Sequence, residues 1–181
     1  LIIAGGLIGY SFRAQVKMPL YKNSGNASFA AKNYSKAIAE YTSYLDLQPH
    51  DTDIHIKIGK AYFAVNDYQK AGDHFQTALG ERGNDAGLRY LAGVASFHYG
   101  AYSYAINDFR IALELNPKQT DAFKFLGLAN IKLNDHKAAV PYLEKTLAAY
   151  PDDQEVAALL IESYRSTGKY TKTIALAIKL L

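Results

Sequence analysis

Apolar residues recur along the chain at helical spacing, in pairs of short segments separated by polar turns. Between residues 120 and 153, one apolar stripe runs from Phe123 to Ile131 and a second from Ala139 to Leu147. Positions three and four apart share one face of an α-helix, so each stripe predicts an amphipathic helix. Neither helix can bury its stripe alone, and the pattern therefore predicts helix-turn-helix units that stack on neighbouring copies.

The helix-turn-helix unit recurs with a period of 34 residues. The register gives repeats at 18–51, 52–85, 86–119 and 120–153, with an incomplete fifth at 154–181. Each complete repeat has glycine in its first helix and alanine twelve positions later in its second: Gly25, Ala37, Gly59, Ala71, Gly93, Ala105, Gly127 and Ala139. A large apolar residue follows each glycine by sixteen positions: Tyr41, Phe75, Phe109 and Leu143. Glycine inside a helix costs about 1 kcal/mol relative to alanine, so its recurrence indicates a packing constraint.

This combination of small, large and turn residues resembles the tetratricopeptide repeat (TPR) family over residues 18–181. Pro49, Pro117 and Pro151 close three of the repeats, as the family pattern requires. The resemblance implies an all-α fold, a right-handed α-solenoid of about five 34-residue TPR units. It also implies that the glycine and the alanine mark the closest approach of the two antiparallel helices.

Residues 1–17 form a separate apolar segment, which we expect to be helical. Residues 1–12 are too few to span a bilayer, which takes about 20 residues, so they predict the end of a single-pass membrane anchor in a longer chain. Gly5 and Gly9 have the spacing that lets membrane helices approach closely. A capping helix on the first repeat and a signal-peptide remnant are the alternatives. The side of the membrane, cytoplasmic or periplasmic, stays open.

Composition and charge exclude several classes of function. The formal net charge is only +3 and the basic residues form no long run, so we expect no nucleic-acid partner. The chain has no cysteine, which excludes disulfides, thiolate metal sites and cysteine nucleophiles. The histidines show no metal-ligand spacing, and we assign them structural roles: His50, His55, His74, His98 and His136. No phosphate-binding or dinucleotide motif is present, so we predict no enzyme, no metal and no cofactor.

The family resemblance implies that the first helices of successive repeats line a concave groove for a partner segment. The groove residues that it implies are Lys22, Asn26, Phe29, Lys57, Lys60, Phe63, Tyr90, Leu91, Val94, Phe97, Lys124, Phe125, Leu128 and Lys132. The first part is basic and polar, and the third and fourth repeats are apolar and aromatic. Such a groove suits a peptide with apolar side chains and some carboxylates.

The carboxylate clamp of chaperone-binding TPR domains is incomplete in this sequence. Lys22 and Asn26 match its first-repeat part, but Lys57 stands where asparagine is expected. Gly87 and Leu91 stand where two cations are expected, so we do not predict recognition of a chaperone tail.

The function predicted from the sequence is a non-catalytic scaffold or assembly subunit of a membrane-associated complex, which binds a protein partner in the groove. One alternative is a soluble scaffold that associates with itself through its apolar C-terminal end, "TIALAIKLL". Another alternative is a regulatory TPR domain of a larger protein. The groove could also be filled by a segment of the chain itself.

Overall fold

The computed structural model of the protein describes residues 17–179, which form ten α-helices and contain no strand. Helix α1 covers residues 17–30 of this range. The remaining helices are α2 (Tyr34–Leu45), α3 (Thr52–Ala64), α4 (Tyr68–Glu81), α5 (Ala86–Tyr99), α6 (Tyr102–Leu115), α7 (Asp121–Lys132), α8 (His136–Ala149), α9 (Gln154–Ser166) and α10 (Tyr170–Lys179). The all-α prediction is thus confirmed for this part of the chain, while the exact repeat boundaries and the handedness stay predictions.

The helices divide into two compact units. Unit 1 ends at Glu81 and contains α1 to α4, and unit 2 begins at Arg82 and contains α5 to α10. In unit 1 the core includes Ala37, Tyr41 and Ile58, each with 0% exposure. In unit 2, the same kind of core forms where α8 packs against α9.

The predicted membrane anchor requires correction. Residues 1–12, which carried that prediction, and the predicted apolar N-terminal helix lie outside the described residues. Among residues 17–179, no helix has the combination of length and apolar character that crossing a bilayer requires. The prediction of a membrane localisation through a single-pass anchor is therefore wrong on this finding.

The recurring glycine lies where a first helix meets the large residue of the second helix. A Cβ added to Gly127 would lie 2.5 Å from Cδ2 of Leu143, and one added to Gly93 would lie 2.8 Å from Cε1 of Phe109. The four recurring alanines and the four large residues all have 0% exposure. The sequence interpretation assigned the close approach to glycine and alanine. In the structure, the atoms nearest to the glycine belong instead to the large residue, which fills the recess that a missing side chain leaves.

The turn inside each repeat contains one residue with a positive φ angle. These residues recur at the repeat period: Lys32 (58°), Asn66 (63°), Gly100 (91°), Asn134 (60°) and Gly168 (71°). Glycine adopts this left-handed conformation freely and asparagine tolerates it, but other residues are strained by about 1 kcal/mol or more. The turn is therefore a fixed backbone element of the repeat, and lysine is the residue that fits it least well.

Replacing Lys32 with glycine is expected to stabilise the protein by about 0.5 to 1 kcal/mol, because relief of strain exceeds the added entropy of the unfolded chain. The midpoint of urea denaturation, followed by far-UV circular dichroism, measures the change. The reverse replacement, Gly100→Lys, should lower the midpoint. A Lys32→Gly midpoint below that of the wild type would show that the left-handed turn is not strained.

Candidate functional site

Unit 2 contains a cluster of four aromatic rings, Tyr90, Phe97, Phe109 and Phe125, which we call the aromatic cluster. The ring of Phe125 on α7 stacks on Phe109, with 5.2 Å between centroids and 18° between planes. Phe97 of α5 meets Phe125 edge-on at 5.3 Å, and Tyr90 meets it edge-on at 6.1 Å. Phe109 has 0% exposure, whereas the other three rings are partly exposed. The aromatic cluster is therefore a partly exposed apolar surface that packs against the buried ring of Phe109.

Other predicted groove residues extend this surface along α5 and α7. On α7, Leu128 and Lys132 follow Phe125 by three and seven positions, so the three side chains share one face of the helix. Leu91 on α5 and Leu128 are partly exposed, and Lys132 is exposed. Val94 differs, because it has only 7% exposure and belongs to the core. The sequence pattern placed it in the groove, but it offers almost no surface to a partner.

Lys22 and Lys124 occupy the same repeat position and have the same role in the structure. Nζ of Lys22 lies 2.8 Å from Oδ2 of Asp51, and Nζ of Lys124 lies 2.9 Å from Oδ2 of Asp153. Each aspartate also caps the first helix of the next repeat. The hydrogen bond to the aspartate raises the pKa of each lysine. These two cations, which the family resemblance suggested for ligand binding, are already paired with the aspartate that caps the first helix of the next repeat.

The polar groove residues of unit 1 form a small network around Asn26. Its Oδ1 accepts hydrogen bonds from Nζ of Lys57 at 2.6 Å and from the hydroxyl of Tyr41 at 2.9 Å. Among the described residues, neither Lys57 nor Lys60 forms an ion pair with a carboxylate. Lys60 is exposed and Lys57 is partly exposed. Unit 1 therefore presents two cations whose charge no described carboxylate neutralises.

Three of the four phenylalanines predicted for the groove have a second contact that the sequence did not suggest. Each one ends a first helix and packs edge-on against the tyrosine that begins the second: Phe29 on Tyr34, Phe63 on Tyr68 and Phe97 on Tyr102, at 5.5, 5.1 and 5.5 Å. These rings therefore stabilise the turn within the repeat as well as contributing surface. Phe97 is the one of these three that also belongs to the aromatic cluster.

A cleft of about 440 Å³ lies between α8, α9 and α10, and sequence reasoning did not identify it. Its apolar lining includes Leu147, Leu160 and Leu176. At its polar edge, Oε1 of Glu144 accepts a hydrogen bond from the hydroxyl of Tyr164 at 2.7 Å and lies 2.8 Å from Nζ of Lys172. The hydrogen bond from Lys172 contributes most to lowering the pKa of Glu144. No spacing in the sequence could reveal the cleft, because it depends on how far α10 stands from α8.

Metal-ligating side chains do not come together in groups of three or more in the part of the chain that the structure describes. Within residues 17–179, no three or more histidine, aspartate or glutamate side chains are placed to hold a metal ion together.

Helix pairs joined by short left-handed turns, with a buried glycine under a large side chain, define an all-helical repeat protein. Two family models, both described as tetratricopeptide repeat, match residues 28–95 and residues 100–154 and 126–177. Together they cover more than half of the chain. The chain belongs to the tetratricopeptide repeat family, as the sequence pattern predicted.

Solved structures of other proteins share this fold. A crystal structure of MamA protein is 22% identical, with a TM-score of 0.80 over 90% of this chain and 89% of that one. YrrB, described as a TPR protein with an unusual peptide-binding site, is 20% identical, with a TM-score of 0.75 over 86% and 80% of the two chains. At such identities the likeness shows the fold alone. No curated protein sequence matches the chain.

Proposed function

We propose that this protein is a non-catalytic interaction module, a scaffold or accessory subunit that binds a segment of a partner protein. The observation that carries the proposal is the aromatic cluster of unit 2, where Tyr90, Phe97 and Phe125 are partly exposed over the buried ring of Phe109. Clustered apolar surface usually marks an interaction site, and well-supported aromatic side chains dominate binding energy. The peptide-binding site described for YrrB, which has a similar fold, supports the same reading.

The chemistry of each unit indicates what the partner segment presents to it. On unit 2, Leu91, Phe125 and Leu128 suit apolar or aromatic side chains of the partner. On unit 1, Lys57 and Lys60 carry charges that no described carboxylate neutralises, so this surface suits carboxylates. The cationic contribution is smaller than the sequence suggested, because Lys22 and Lys124 are already paired.

Self-association through the C-terminal end is a second candidate function, and one observation favours it. None of the residues of α10 is buried. Tyr170, Ile174 and Ile178 follow one another at four-residue spacing on one face of the helix, with exposures of 64%, 61% and 64%. A second copy of the chain could cover this face in the manner of a further repeat.

Photo-crosslinking in the native cell tests the proposal. A photoreactive residue at Leu128 is expected to capture a discrete set of partner proteins, which mass spectrometry identifies. The same residue at Tyr104, which is 74% exposed on α6, serves as the positional control and should not capture that set. Replacing Phe125 with alanine is expected to weaken partner binding by at least about tenfold, since central aromatic side chains contribute about 2 kcal/mol.

Phe123 offers a matched control for Phe125 on the same helix. Its ring contacts Lys145 of α8, with Nζ 4.8 Å from the ring centroid, so it faces away from the aromatic cluster. Phe123→Ala should therefore leave partner capture at Leu128 intact while removing a ring of the same size. Equal losses in both variants would contradict a binding role for the aromatic cluster. Adducts that contain only this chain would favour the self-associating scaffold.

A further inference from the structure

Two side-chain pairs occupy the same repeat position, one in each unit. In unit 2, Arg89 of α5 pairs with Asp108 of α6, with 3.0 Å between Nη1 and Oδ1. The positions one repeat earlier, in unit 1, are His55 of α3 and His74 of α4, whose Nδ1 atoms lie 3.0 Å apart. An ion pair of opposite charges is thus replaced by two groups that can acquire charges of the same sign.

The first-helix member of each pair also contacts the carbonyl of the preceding turn. Nε of Arg89 donates to the carbonyl oxygen of Gly83 at 3.3 Å, and Nε2 of His55 lies 2.9 Å from that of Pro49. A carbonyl oxygen can only accept, so Nε2 of His55 carries the hydrogen. In the neutral ring Nδ1 of His55 is then bare and accepts a hydrogen bond from Nδ1–H of His74.

This arrangement accommodates one additional proton but not two. The first can bind at Nε2 of His74 and leaves the hydrogen bond between the rings in place. The second must bind at Nδ1 of His55, where it faces Nδ1–H of His74 across 3.0 Å. The doubly protonated pair therefore loses its hydrogen bond and gains repulsion between like charges.

The surroundings of the pair do little to offset this repulsion. The other titratable groups on α2 to α4 are Tyr34, Lys36, Glu40, Tyr41 and Tyr44 of α2, Asp53, Lys57, Lys60 and Tyr62 of α3, and Tyr68, Lys70, Asp73 and Glu81 of α4; Asp51, with its partner Lys22, precedes α3. The charge of Asp73 favours protonation of His74, but this carboxylate is exposed. The ring of Tyr62, stacked on His74 at 5.7 Å, has the cation of Lys70 5.2 Å from its centroid.

We propose that His55 and His74 form an acid-sensitive clasp that holds α3 against α4 near neutral pH and weakens when both rings are protonated. His55, one half of the clasp, lies on α3, the helix that also presents Lys57 and Lys60. Acid would therefore loosen the polar binding surface of unit 1. At the corresponding positions of unit 2 an arginine and an aspartate form the ion pair Arg89–Asp108, so unit 2 has no histidine pair there.

The direction of the effect follows from proton linkage. Burial, and next the charge of His55, lower the pKa of His74 below its usual value, which is about 6.5. Below about pH 6.5, His74 therefore binds more protons in the unfolded chain than in the folded chain. The stability that the neutral pair contributes to unit 1 is complete above that pH and is lost as the pH decreases through the lower folded-state pKa of His74. For one proton, the unfolding constant changes by up to about tenfold per pH unit.

A double variant that carries the pair of unit 2 tests the clasp in the full chain. His55→Arg with His74→Asp should lose less stability than the wild type between about pH 7.5 and about pH 5.5, on either side of the free histidine pKa. Urea denaturation midpoints at both values give the comparison. The exposed His50, changed to glutamine, is the matched control and should keep the acid sensitivity of the wild type. An equal loss in the double variant and the wild type would overturn the proposal.

A second variant and a direct titration keep the test decisive if the double variant does not fold. The side chain of His74→Gln can still donate a hydrogen bond to Nδ1 of His55 but takes up no proton, so its midpoint should also vary less with pH. Titration of the imidazole nitrogens by NMR should show two coupled steps, with one apparent pKa below the free value. Two independent titrations at the free value would exclude the clasp.

Discussion

Replacing Asp108 with alanine is expected to destabilise unit 2 by about 3 kcal/mol, because it leaves the guanidinium of Arg89 without its anion. The side chain of Asp108 is 3% exposed and that of Arg89 is 21% exposed, so water screens the pair poorly. A charge stranded in such a site costs far more than the intact pair contributes. Hydrogen exchange of the amides of α5 and α6 in the full chain, measured by mass spectrometry, reports the loss for unit 2 directly.

A second ion pair of unit 2 tests whether burial or interatomic distance determines how much stability is lost when one partner is removed. Nζ of Lys172 lies 2.8 Å from Oε1 of Glu144, closer than the atoms of the buried pair, but the two side chains are 57% and 36% exposed. Lys172→Ala should therefore cost less than about 1 kcal/mol. Similar losses for Lys172→Ala and Asp108→Ala would show that burial of the charge is not decisive. The apolar pair Arg89→Met with Asp108→Leu should recover much of the stability.

The regular part of the fold follows from the sequence because its causes are local. Apolar spacing defines each helix, and the positions of the turn recur with the repeat period. Packing inside a repeat is also a local effect. Each repeat places a small residue and a large one at a fixed separation in sequence, as Gly127 and Leu143 illustrate. Because the same local pattern recurs in every repeat, a single sequence is sufficient to predict membership of the family.

The candidate site was only partly predictable, because its properties depend on contacts between residues far apart in the chain. Lys124 looked like a ligand-binding cation, but it pairs with Asp153, 29 positions away, which caps the first helix of the next repeat. The contact of His55 with His74 spans 19 positions and follows no motif. Comparison of equivalent positions, such as His55 with Arg89, is the sequence signal that could have identified this pair.

Glycine at the helix contact has a consequence that can be measured in unit 1. A Cβ on Gly59 would lie 2.6 Å from Cε1 and 2.7 Å from Cδ1 of Phe75. Phe75 has 0% exposure, so its ring cannot move aside without displacing the rest of the core. Gly59→Leu is therefore expected to destabilise unit 1 by about 2 to 3 kcal/mol, which exceeds the helix propensity gained by removing glycine.

The control is a second helical glycine of the same unit. A Cβ on Gly80 in α4 would meet no atom within 4 Å, so Gly80→Leu gains helix propensity without a clash. The two variants make the same chemical change, but the urea midpoint should fall for Gly59→Leu and should rise or stay unchanged for Gly80→Leu. Were both variants stable, the first helix would have room to move away from Phe75, and glycine would not be required at this position. A loss of stability for Gly59→Leu alone would show that glycine is required here because the ring of Phe75 packs against it.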